Sequence, residues 1–144
     1  MAETTHFPRY LILGAALVGG MLLAIAVHMI AASYGLDLGG LWRPDGPEIV
    51  PTKAAIAWWL VAGAGGGGGY LTASLMESAV SGEIPPRLRQ LLIAVGVLLL
   101  AGAGHVASAP SKVPVGQGLL AGLAALVLGA VMAFCGAHFS MRTS

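Results

Sequence analysis

An all-α integral membrane protein, four transmembrane helices in an up-down bundle, is the fold class the sequence predicts, on three observations. Of 144 residues only 9% are charged and 57% are hydrophobic, with a mean hydropathy of +0.86, whereas an ordinary soluble domain is about 25% charged. Seven basic and six acidic side chains are too few to keep such a chain free of large apolar patches in water. Four segments free of Asp, Glu, Lys and Arg are each long enough for a hydrocarbon core that needs about 20 helical residues. No segment alternates polar and apolar residues as a barrel strand does, so each segment is read as a helix.

The first helix is expected from about Tyr10 to Ser33. Its apolar run is too long for a secretory signal core of about 7 to 15 residues, so it is expected to stay in the mature chain. The second helix is expected over about 54–76, the third over about 90–108 and the fourth over about 115–139. Between the first two lies the longest connection, 34–53, rich in Gly, Pro and acid. Trp42 within it, with Trp58 and Trp59 just beyond, suits the boundary where aromatic side chains meet headgroups. Pro85 and Pro86 stop helix extension between the second and third segments. The six residues APSKVP between the third and fourth predict antiparallel neighbours.

Basic residues set the expected orientation. Arg9, Arg87, Arg89 and Arg142 fall on one side, Arg43, Lys53 and Lys112 on the other. The small excess predicts cytoplasmic N- and C-termini and a non-cytoplasmic 34–53 loop, in a bacterial-type inner membrane. A net charge of +1 and no Lys/Arg cluster exclude nucleic acid as a partner.

Within the helices the repeated signal is small residues at four-residue spacing. Ala121, Ala125, Gly129, Ala133 and Ala137 form one stripe, and Gly118 with Gly122 forms a GxxxG pair beside it. Small residues let helix backbones approach closely where lipid offers no hydrophobic drive for association. The second helix contains five consecutive glycines, Gly65 to Gly69, which cost about 1 kcal/mol each in a water-exposed helix. In lipid the backbone must still satisfy its own hydrogen bonds, so the run is expected to stay helical and to pack closely. A lipid tail or a flat cofactor is the alternative neighbour.

Ionisable residues in the membrane are scarce, and they are the usual functional pointers there. His28 continues a stripe of Ala16, Gly20, Ala24 and Ala32, and His105 follows Ala101 and Gly102. Two facing imidazoles at similar depth would serve a bis-His haem b. Each also ends an Ala-x-x-x-His string, Ala24 to His28 and Ala101 to His105, which resembles the pigment-ligating helices of bacterial light-harvesting polypeptides and would imply bacteriochlorophyll. The plainer reading is interfacial histidines bonded to a carbonyl or water. Glu77 is read as marking the inner end of the second helix, with Thr72, Ser74, Ser78 and His138 near enough to sketch a polar lining. Cys135, the single cysteine, is read as a small apolar helix residue.

No Ser-His-Asp set, HExxH, P-loop or paired carboxylates appears, so the chain is not expected to be an enzyme, and no metal ligand set is read. Three function classes follow. The first is an accessory or structural subunit packed among other membrane-protein subunits and lipids. The second is a carrier of haem or bacteriochlorophyll on His28 and His105. The third is a small transporter or channel subunit working as a homo-oligomer.

Overall fold

The computed structural model describes residues 7–34, 36, 51–108 and 115–143, and the side-chain surroundings of all but 51–54, 115–118 and 143 among them. These residues are all-helical: α1 (Arg9–Ser33), α2 (Pro51–Ser81), α3 (Pro86–Ser108) and α4 (Val115–Thr143). Most of the 34–53 loop, with Trp42, the APSKVP turn, and the surroundings of Gly118 lie outside the described residues. Three helices are long and apolar enough to cross a membrane: α1, α3 and the Leu119–Arg142 part of α4. The longest, α2, falls short of that measure because its glycine run and its Ser and Thr residues dilute its apolar content.

Helix ends follow from local chemistry. Pro8 precedes α1, and its carbonyl accepts from the amides of Leu11 and Ile12 at 2.9 and 3.2 Å. The end of α2 lies beyond Glu77, at Ser81, because Gly82 there takes a left-handed φ of 80° and donates its amide to the Ser78 carbonyl at 3.0 Å. Only glycine adopts that cap without steric cost. Pro85 then offers its carbonyl to the amide of Arg89 at 3.1 Å. Pro86, the first residue of α3, lacks a donor that position would leave unpaired anyway.

A three-helix core of α1, α2 and α4 forms the centre, with α3 resting against α1 and, more lightly, α2. The short connection thus does not make α3 and α4 neighbours along their lengths, contrary to the sequence expectation: it limits only the distance between their joined ends. The core is a meeting of small-residue stripes. A Cβ added to Gly65 would stand 2.7 Å from Cα of Gly129 and 2.9 Å from its carbonyl oxygen. One on Gly68 would stand 2.9 Å from Cα of Gly20, and one on Gly129 2.6 Å from Cβ of Ala24. Gly69 faces the Ala133 backbone, and Gly20 faces both Ala133 and the Gly65 carbonyl.

One register runs through these contacts. Residues 57, 61, 65, 69 and 73 of α2 lie level with 121, 125, 129, 133 and 137 of α4, in parallel, while 12, 16, 20 and 24 of α1 run antiparallel to both. Ala57, Val61, Ala121, Ala125 and Ala24 close one end, and Ile12, Ala16, Ala73 and Ala137 the other. Gly122 is not part of this interface, since a Cβ there would meet nothing within 4 Å. It lies one position off the stripe, which turns it about 100° from the partner helices.

Gly65→Val is expected to drive methyl groups into the α4 backbone and to lower stability by about 1–3 kcal/mol, as overpacking does. Gly67→Ala, where nothing stands within 4 Å, is expected to leave stability unchanged or raise it by up to about 1 kcal/mol through helix propensity. Thermal unfolding in mild detergent compares the two.

Candidate polar cleft and imidazole clasp

At the end of the bundle that carries the α2–α3 turn, a cavity of about 540 Å³ opens between α2, α3 and α4. Tyr70, Ser74, Glu77, Ser78 and Ser81 reach it from successive turns of α2, Glu83 and Arg87 from the turn and the start of α3, and Ser140 from α4. The spacing of three and four residues on α2 puts all five on one face. Ser140 is 3% exposed and Ser78 9%, so the cleft reaches well inside the bundle. Its inner wall is fastened by a hydrogen bond between the Ser74 and Ser140 hydroxyls at 2.9 Å. Leu88 and Leu91 supply an apolar side.

The sequence reading found part of this set. Ser74, Ser78 and Glu77 line the cleft, while Thr72 does not. Its hydroxyl donates to the Gly68 carbonyl at 2.7 Å and stands against Gly19 of α1. His138 stacks on Phe134, centroids 5.3 Å apart, and is not among the lining residues. Tyr70, Ser140, Glu83 and Arg87 were missed. Ser140 was legible only in retrospect, since it stands three residues beyond Ala137 on the α4 stripe.

The two histidines proposed as ligands do not face each other. His28 is buried on the α1 face that also buries Ile12, Ala16, Gly20 and Ala24, the face turned to α2 and α4. His105 meets the opposite side of α1, where Ser33, Tyr34 and Ile30 point toward α3. Residues 28 and 30 are about 200° apart around a helix, so the helix itself stands between the imidazoles.

What His105 does make is a clasp. Its Nδ1 lies 2.8 Å from Oγ of Ser33, and the Ser33 hydroxyl proton is given to the Ile30 carbonyl at 2.6 Å. A hydroxyl has one proton to donate, so Nδ1 of His105 is the donor between them. The ring also stacks on Tyr34, with centroids 3.8 Å apart and planes 10° from parallel. Gly102, one turn earlier, receives the Ile30 side chain. Together these tie the far end of α3 to the end of α1.

The packing residues read from the sequence are placed as follows: Gly65, Gly69, Ala125, Gly129 and Ala133 lie in the α1–α2–α4 interface, and Gly122 does not. Within the glycine run Gly65, Gly68 and Gly69 are closed by α1 and α4, whereas a Cβ on Gly67 would meet nothing within 4 Å. Cys135 is exposed on the outer side of α4. Among the described residues no three His, Cys, Asp or Glu side chains gather as a metal site. No family model, curated protein or solved structure matches this chain.

A double-mutant cycle on Ser74→Ala and Ser140→Ala is expected to return a coupling of about 0.6 kcal/mol and at most about 1.7, the range for hydrogen bonds between membrane helices. Unfolding in detergent measures it. Zero coupling would remove the bond from the account of the inner wall.

Proposed function

We propose that the chain is an accessory subunit of a larger membrane assembly, with all four helices embedded in a bacterial-type inner membrane, both termini cytoplasmic, and α3 as the helix that receives a partner. Embedding of α2 is supported by where its weakly hydropathic residues lie: the glycines at 65, 68 and 69 are enclosed by α1 and α4, while Ile56 is exposed and Trp59 and Leu60 border the apolar gap toward α3.

The observation that carries the subunit reading is the state of α3. It buries only Leu88 and Gly102, near its two ends. Ile93, Val97 and Leu100 are all more than half exposed and form one stripe about 180° from the residues that face the bundle. Gly96 and Gly104 accompany that stripe, and a Cβ on either would meet nothing within 4 Å. In the core, glycine is spent on backbone contact between helices. On α3, Gly96 and Gly104 have no such contact among the described residues, and a second helix at that face would supply it. The contact would be with another polypeptide, and the reading assigns the chain no catalysis.

Gly96→Leu and Gly104→Leu separate this from folding, since a Cβ on either residue meets none of the described residues within 4 Å. The wild type is expected to migrate in native gels of mild-detergent extracts at a mass far above a monomer, together with other polypeptides. The double variant should migrate alone with its thermal stability intact. A wild type that runs only as a monomer or a small homo-oligomer would sink the proposal and redirect attention to transport.

A further inference from the structure

The gap between α2 and α3 has two parts that follow one another along the same pair of helices. At the turn end is the polar cleft, with Glu77, Glu83 and Arg87 among its lining. Farther into the bundle is a second cavity of about 390 Å³, walled by Leu23 and Val27 of α1, by Leu60, Gly63, Gly67 and Leu71 of α2 and by Val95 and Leu98 of α3. Residues 88 and 91 of α3 border the first and residues 95, 98 and 99 the second. On α2 the step from Tyr70 to Leu71 passes from one to the other. A Cβ on Gly63 or Gly67 would meet nothing within 4 Å, so these two glycines leave the floor of the second cavity open.

We propose that this slot binds one diacyl phospholipid with an ammonium-bearing headgroup, of the phosphatidylethanolamine type. The headgroup sits in the cleft, where Glu77 and Glu83 accept from the ammonium and Arg87 donates to the phosphate. Charge-assisted hydrogen bonds of these two signs match a zwitterion and disfavour a headgroup that carries a phosphate alone. An acyl chain continues past Leu88 and Leu91 into the groove over Gly67 and Gly63. From Glu77 the path along α2 reaches Gly67 after about 15 Å and Gly63 after about 21 Å at 1.5 Å per residue, so an acyl chain anchored at the cleft meets the groove at about the 15 Å depth of one leaflet. A quinone has neither the cation nor the phosphate that the cleft is charged to meet. This site lies on the opposite side of α3 from the proposed partner face and does not depend on it.

The test is native mass spectrometry of the full chain released from nanodiscs of phosphatidylcholine containing a minor fraction of either phosphatidylethanolamine or phosphatidylglycerol. One phosphatidylethanolamine per chain is expected to stay bound, in clear preference to phosphatidylglycerol. Glu83→Gln and Arg87→Gln should each lower that retention about tenfold, the loss of one hydrogen bond to a charged group. Gly67→Leu should eject the lipid by filling the groove. The turn variants lie outside the helix core, so they remain informative if Gly67→Leu does not fold. Equal retention of the two lipids, or unchanged retention in both turn variants, would overturn the proposal. Displacement of the lipid by acyl-free glycerophosphoethanolamine at equal concentration would also overturn it, by giving the groove no part in binding.

Discussion

The approach of Gly65 to Gly129, main chain to main chain with Gly20 and Ala24 of α1 closing over them, is the contact on which the other helix positions depend. In lipid there is no hydrophobic gain in bringing two apolar helices together, since an acyl tail covers them equally well. What remains is dispersion at short range, which falls steeply with a gap of even half an ångström. Glycine and alanine at every fourth position remove the side chains that would hold the axes apart. Because this occurs on three helices at one level, a shift of α2 by one residue would bring Trp58 and Tyr70, or Ile56, Leu60 and Thr72, to facing positions now held by small residues and Val61. The stripes therefore specify the alignment of the core as well as its closeness.

The same logic explains why α3 is different. It carries glycines, but its sequence puts Leu, Ile and Val between them on most faces, and among the described residues only Gly102 meets a neighbour's side chain closely. Helix α3 is therefore fastened at points: Leu88 near the turn, and Gly102 with the His105 clasp at the other end. Between those points the helices stand apart, and the space becomes the slot. A tight core and a loosely held fourth helix are two outcomes of one variable, the side-chain volume at the facing positions.

How much of this was legible in the sequence varied with the kind of signal. The four helical segments followed from the spacing of charged residues and prolines. The first helix came out within a residue of its observed ends, whereas α2 and α3 were drawn too short at the Glu77–Gln90 side. There Glu77 was taken for the helix end and Arg87 and Arg89 for part of the connection, whereas both helices continue through these charged residues. The true stop is Gly82, whose left-handed φ is a local geometric need that composition does not display. The α4 stripe stood out because bulky residues separate its members. The α2 stripe at 57, 61, 65, 69 and 73 was hidden, because five consecutive glycines leave no contrast from which to read a period.

The histidines show a different limit. His28 and His105 were paired on depth and on the small residues that precede each one. Pairing also requires that the two faces meet, and which face of α1 turns to α3 is decided by where α2 and α4 bind first. The stripe ending at His28 is the one those helices occupy, so α3 was left the opposite side, where Ser33 and Tyr34 receive His105. An imidazole next to small residues is thus as much a sign of a packed core as of a ligand, and it takes the order of helix packing to tell the two apart. In this chain that order follows from the glycine contacts: the helices with the most complete small-residue stripes pack together, and the helix without one is left at the edge with faces still open to lipid or a partner.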